Sequence, residues 1–154
     1  MERIESAYHL LNIEYFCRME KAIGIDFGLK RTGLAITDDL GLIASPLVAV
    51  PSEKLMSFLI DLIPKEKIKL IVLGYPTSLD GSDTHITENV RLFKTALEKQ
   101  FSLPVMLQDE RMSSSRAMQA IHQGGKAKQK KNKGLVDTIS ATLILQDYME
   151  SYEL

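Results

Sequence analysis

Residues 22–37, AIGIDFGLKRTGLAIT, contain two alternating apolar runs joined by the basic turn Gly28, Leu29, Lys30 and Arg31. Period-two alternation over lengths this short reads as a β-hairpin, and the glycine in the link suits a tight turn. The constraint lies in Asp26, set between Ile25 and Phe27 inside the first run. An ionised carboxylate in a buried strand costs several kcal/mol unless it is paired, hydrogen-bonded or bound to a metal. Any fold for this chain has to bring Asp26 a partner, and chemistry is the leading reason to keep it.

Along the 154 residues, the hairpin opens a series of short elements. Strands are expected over 22–27, 32–38 and 43–50, with the second link at Asp39–Gly41. A helix follows over 53–65, with Leu55, Phe58, Leu59, Leu62 and Ile63 on one face and Pro64 marking its end. Residues 70–74 (LIVLG) form a continuously apolar strand of the type covered on both faces in a parallel sheet. The turn-rich loop 75–82 leads to a second helix over 82–99 and a fifth strand over 103–108. Ser113 or Ser114 can cap a third helix ending near Gly124 and Gly125, and the last helix is expected from Leu135 to Ser151.

The fold class is therefore α/β: a mixed five-stranded sheet of order 3-2-1-4-5, flanked by helices, its first three strands antiparallel. Right-handed crossovers make strands 1, 4 and 5 parallel. Their carboxyl ends share one edge, where open α/β sheets place their sites. Asp26, the loop after Gly74, and Asp109 and Glu110 fall on that edge, whereas Asp38 falls on the opposite one and is set aside.

Asp26 and Glu110 thus meet across 84 positions of sequence. Adjacent carboxylates repel, and a divalent cation relieves the repulsion. Asp137, near the start of the last helix, is the third candidate. A third helix of about ten residues carries the chain roughly 15 Å away, and the linker 124–133 spans up to roughly 33 Å, enough to return Asp137 beside Asp26. Three carboxylates of this kind would hold one or two Mg²⁺ or Mn²⁺ ions and activate water for in-line attack on a phosphodiester. Two plainer readings stand beside this one: Glu110 as a strand-end carboxylate paired with Arg111, and Asp137 as a first-turn aspartate favoured by the helix dipole.

With 19 basic and 20 acidic residues the net charge is −1, so any pull on nucleic acid has to be local. Lys126, Lys128, Lys130, Lys131 and Lys133 form a basic loop between Gly125 and Gly134, readable either as a solvated linker or as a phosphate-tracking segment. Lys30, Arg31 and Arg111 add to the same charge. No aromatic residue interleaves the lysines, which argues against base stacking there. His9, His85 and His122 lack ligand spacing. The single cysteine, Cys17, excludes an internal disulfide and reads as an inert thiol in a reducing, cytoplasmic setting. No run of about 18 apolar residues is available for a membrane span. The expected organisation is one domain over 21–154 behind an N-terminal extension, residues 1–20, whose apolar positions Ile4, Ala7, Tyr8, Leu11 and Tyr15 recur at helical spacing.

These residues carry a resemblance. The segments GIDFGLKRTGLAITD (24–38), VLGYP (72–76) with Asp80 and Gly81, DER (109–111), and Asp137 resemble, in order, the motifs of the YqgF/RuvX family. That family comprises pre-16S rRNA nucleases once described as Holliday junction resolvases. The resemblance covers nearly all of the chain from Lys21 onward and implies a ribonuclease H-like fold and metal-dependent cleavage in 5′-end maturation of 16S rRNA. It implies Asp26, Glu110 and Asp137 as the catalytic, metal-holding residues. The chain departs from the family at 112–115, where Met112 and three serines replace the usual threonine pair, and in its N-terminal extension. Branched DNA is the alternative substrate, acting as monomer or homodimer stays open, and a non-catalytic binding module is a further alternative. The Asp26–Gly28 hairpin also looks like the first phosphate loop of actin-like ATPases, which need two such domains.

Overall fold

The computed structural model describes residues 20–76, 86–110, 119 and 133–151. Five strands make one sheet: β1 (Ala22–Asp26), β2 (Arg31–Thr37), β3 (Ala44–Pro51), β4 (Leu70–Tyr75) and β5 (Val105–Asp109). Its order is β3-β2-β1-β4-β5, as expected, with β1 antiparallel to β2, β2 antiparallel to β3, and β4 parallel to both β1 and β5. Three α-helices are packed with it: α1 (Leu55–Glu66), α2 (Thr87–Phe101) and α3 (Lys133–Glu150).

Alternation along the strands splits the core into two layers. Ile23, Ile25, Leu34, Ile71, Leu73 and Val105 face α1 and α2, against Leu55, Leu59, Ile63, Val90 and Leu97. Ala22, Ala35, Ala44, Leu70 and Val72 face α3, against Ala141, Ile144 and Leu145. The side chains toward α3 are smaller because that helix lies close against the sheet. A Cβ added at Gly24 would come within 2.8 Å of the Leu145 Cβ and 2.9 Å of the Ala141 carbonyl oxygen. Small residues on this face thus determine where α3 lies, and α3 in turn determines where Asp137 lies.

The element boundaries depart from expectation in four places. Pro64 does not end its helix: α1 continues to Glu66 and stops at Lys67, a left-handed residue (φ 55°) whose N–H donates to the Ile63 and Pro64 carbonyls. Proline costs little in a last turn, where it removes a single hydrogen bond. A 3₁₀ turn, Ser52–Lys54, precedes α1 where the helix was expected to begin. The described part of α2 starts at Thr87 and runs to Phe101, two residues beyond the expected end, closing at left-handed Ser102. Lys133 and Gly134 belong to α3, not to the linker. The expected third helix over 113–124 and the N-terminal helix lie outside the described residues, apart from Gln119. Among the described residues no helix is long and apolar enough to cross a membrane.

Candidate active site

Asp26 is the last residue of β1 and points, with Gly24, to the α3 face. Its cross-strand partner is Gly33 of β2. A Cβ at Gly33 would lie 2.0 Å from the Asp137 carbonyl oxygen and 2.9 Å from the Asp137 Cβ. The missing side chain lets the first turns of α3 settle onto the hairpin beside Asp26. On the other flank, Glu110 follows the last residue of β5, and its N–H donates to the Tyr75 carbonyl (3.3 Å). Gly74 of β4 clears the space beneath it, since a Cβ there would stand 2.4 Å from Glu110 Oε2 and 2.7 Å from Ile144 Cδ1. Two glycines therefore open the floor on which carboxylates from β1, β5 and α3 gather at the carboxyl edge of the sheet.

The electrostatics follow from that crowding. Burial pushes the Asp26 carboxyl up to about 6, with the nearby Asp137 charge adding to the rise and a hydrogen bond from Glu110 opposing it. Burial also pushes Glu110 up, to about 9, followed by the charge of Asp26, their shared hydrogen bond and the charge of Asp109. The two carboxyls share a proton across their hydrogen bond, because like charges in contact in a desolvated site cannot both persist. Glu110 Oε2 is sealed from solvent. Asp137 is compensated differently: its Oδ2 accepts from Arg31 Nε at 2.9 Å, an ion pair spanning 106 positions of sequence.

The donor chemistry fits a hard divalent cation. All three groups offer carboxylate oxygens, the preferred donors of Mg²⁺ and Mn²⁺, and a cation would relieve the repulsion that the shared proton now relieves. Asp26 and Glu110 supply the adjoining pair, and Asp137 the third group. Among the described residues no group of three such side chains is arranged as a metal cluster, and Asp137 is paired with Arg31.

Of the other sequence-derived site residues, Lys30, Arg31 and Lys133 are exposed, and Lys133 opens α3 one turn before Asp137. Arg111, Lys126, Lys128, Lys130 and Lys131 lie outside the described residues. Asp137 is the fifth residue of α3, and no acidic residue occupies the first turn of that helix. The dipole explanation for its position therefore gives way to the Arg31 contact. Asp38 stays at the far edge as a turn residue. Its Oδ1 accepts from the Leu42 (2.6 Å) and Ile43 (3.0 Å) N–H groups, and these bonds, Ile43 foremost, hold its carboxyl below the usual range. Sequence reasoning missed the role of Gly33 and Gly74, although glycine inside a strand is a known sign of close approach. It also missed Ser140, whose hydroxyl is buried with no hydrogen-bond partner among the described residues.

Residues 20–151 match the RuvX family, described as Holliday junction resolvase. The chain belongs to the RuvX family. Its relatives include a Phocaeicola vulgatus protein named "Putative pre-16S rRNA nuclease", 42% identical over 135 residues, spanning 86% of this chain and 97% of the relative. A Flavobacterium psychrophilum protein of the same name is 41% identical over 133 residues, spanning 85% and 97%. Two solved structures share the fold of this RuvX-family chain. RuvC of T. thermophilus, in complex with a Holliday junction substrate, superposes with a TM-score of 0.55 at 14% identity, covering 86% of this chain and 94% of RuvC. A Fowlpox virus resolvase in complex with Holliday junction DNA gives 0.53 at 15% identity, covering 85% and 97%. At such identities the likeness concerns the ribonuclease H-like sheet and its helices, and it agrees with the strand order of the RuvX-family chain.

Proposed function

We propose that this chain is a nuclease that hydrolyses phosphodiester bonds with the help of Mg²⁺ or Mn²⁺, and that its substrate is the precursor of 16S rRNA, trimmed at the 5′ end in the cytoplasm. The observation that carries the reading is the meeting of Asp26 and Glu110 in one shared hydrogen bond, with the charge of Asp137 beside them. The names of the two relatives at about 40% identity favour the RNA substrate.

In this reading one or two cations, when bound, polarise the scissile phosphate and lower the pKa of water. The chain's own residues do the rest. Ionised Asp26 supplies a negative oxygen at the strand end. Glu110 would hold the ion from the end of β5, and Asp137 would add the third carboxylate from α3. Lys30, Arg31 and Lys133 line the approach and meet backbone phosphates, and Arg111, Lys126, Lys128, Lys130 and Lys131 extend that charge. Phosphate contacts of this kind set the register of the substrate without reading its bases.

Asp26→Asn keeps the size of the side chain and removes its charge. It should abolish Mg²⁺-dependent cleavage of a 16S precursor fragment and leave the circular dichroism spectrum unchanged. Cleavage at the wild-type rate would refute the assignment. In cells depleted of the protein, unprocessed 16S precursor should accumulate, and wild type but not Asp26→Asn should clear it. The family's description favours a second reading, cleavage of four-way DNA junctions. Resolving a junction takes two symmetric sites and so a dimer. Competition between the precursor fragment and a synthetic junction for the same protein separates the two.

A further inference from the structure

The contact between Arg31 and Asp137 has no counterpart in the carboxylate chemistry above, since it ties up an oxygen that a cation would use. Arg31 opens β2, with 42% of its side chain exposed, and Asp137 is less exposed at 23%. Among the described residues Asp137 is the only ion-pair partner of Arg31, reached through Nε alone. The two terminal nitrogens of the guanidinium are thus left for another acceptor, and a phosphate is the acceptor this planar fork suits best.

The backbone beneath Arg31 is fixed. Its residue pairs with Pro51 of β3. Ser52 clamps the turn from the other side, its N–H donating to the Lys30 carbonyl (2.9 Å) and its hydroxyl to the Gly28 carbonyl (2.5 Å). The same hydroxyl lies 2.9 Å from that of Thr32. A Cβ at Gly28 would fall 2.3 Å from the Arg31 carbonyl oxygen, so the turn has no slack there either. Any change at Arg31 is consequently a rotation of its side chain, with the hairpin unmoved.

We propose that the Arg31 guanidinium is a built-in stand-in for the catalytic cation: it neutralises Asp137 until a divalent ion takes that carboxylate, and then turns its freed charge to a substrate phosphate. The geometry supports this in two ways. Of the three carboxylates, Asp137 is the one within ion-pair distance of a cationic side chain, its Oδ2 2.9 Å from Arg31 Nε, and the absence of a side chain at Gly33 seats it on the hairpin beside Asp26. Only one guanidinium nitrogen, Nε, makes that ion pair, so the contact can be exchanged by side-chain rotation alone. Ion loading and substrate gripping become coupled, since the same event that completes the carboxylate set releases a phosphate-binding group.

This inference rests on the proposed metal-dependent reading of the site, and Mn²⁺ binding without substrate tests the two separately. Free Mn²⁺ is counted by electron paramagnetic resonance in titrations of wild type, Arg31→Gln, Asp137→Asn and the double variant. Arg31→Gln should bind Mn²⁺ about two- to five-fold more tightly, the range an exposed ion pair supports. In the Asp137→Asn background the same change should have no effect, as expected if the two residues act through one contact. With Mn²⁺ present, binding of a single-stranded RNA oligonucleotide should weaken in Arg31→Gln, and its log–log salt slope should become shallower by roughly 0.7, the loss of one phosphate contact. A merely structural arginine would not move metal and RNA affinity in opposite directions.

Weaker Mn²⁺ binding in Arg31→Gln would overturn the proposal and make Arg31 a positioning residue that orients Asp137. Equal Mn²⁺ binding would also overturn it, as would an unchanged salt slope. Arg31→Lys, which retains the charge, should bind Mn²⁺ as wild type does if charge is what competes. Absence of Mn²⁺ binding in the wild type would refute the metal-dependent reading, and this inference with it. Mn²⁺ binding that depends on Asp26 but is indifferent to Arg31 would refute the inference alone.

Discussion

The carboxyl pair at the end of β1 and after β5 gives the protein a stability that depends on pH in a definite direction. Both Asp26 and Glu110 hold protons more tightly in the folded chain than in the unfolded one, where ordinary carboxyls titrate near 4. Between the unfolded and folded values the folded state carries more protons, so stability falls as pH rises. The contribution is complete below about pH 4 and drains away as the pH passes about 6 and then about 9. Chemical denaturation in the presence of a chelator should show it: the midpoint should drop from pH 5 to pH 9, and Glu110→Gln should flatten the drop. A midpoint that climbs over this range would contradict the shared proton. The sequence made Asp26 conspicuous because a charge falls between Ile25 and Phe27 inside a short core strand, where it needs a partner. Glu110 was legible only through topology. Arg31 as the partner of Asp137 was not legible, since a separation of 106 positions and an ordinary hairpin turn gave no sign of the contact.

Elements were read well where a periodic pattern stood alone and less well where two signals competed. All five strands fall within two residues of expectation at either end, because apolar alternation and short turns agree there. Helix ends were harder. Proline at position 64 is a strong stop signal, yet the helix was already within its last turn and closed on a left-handed lysine instead. The 3₁₀ turn at Ser52–Lys54 has no periodicity of its own, and it is what clamps the hairpin that bears Arg31. The decisive element is α3, and its placement depends on glycines that a pattern search treats as gaps. Gly33→Ala should therefore cost about 2 kcal/mol or more in urea denaturation, at the upper part of the range for overpacking, because the obstructing atoms are backbone and cannot rotate away. The same variant should lose cleavage more severely than its stability loss explains, by lifting Asp137 away from Asp26. If Gly33→Ala folds and cuts like the wild type, α3 is not held where the hairpin glycine allows.

At the scale of the molecule, the order 3-2-1-4-5 followed from two rules, tight antiparallel turns and right-handed crossovers, and the sheet obeys both. Cation binding should be felt by this whole framework, since the proposed ligands come from β1, the residue after β5, and α3. An ion that binds only the folded chain at one hundred times its dissociation constant adds about 2.7 kcal/mol, or roughly 5–10 °C in melting temperature for a chain of this size. Differential scanning calorimetry with and without Mn²⁺ should record that rise in wild type and its loss in Asp26→Asn. An equal rise in both would place the ion elsewhere.

The third carboxylate arrives late. Asp26 and Glu110 are both made before any part of α3, and Asp137 rides on the helix whose Ala141, Ile144 and Leu145 cover one face of the sheet. A nascent chain with α3 still inside the ribosome has that face bare and its carboxylate set incomplete. Fragments that stop short of residue 133 share the defect. A chain stopped before residue 133 should therefore neither cover the Ala35 and Val72 face of the sheet nor bring Asp137 to the hairpin, and limited proteolysis of such a fragment should find that face open.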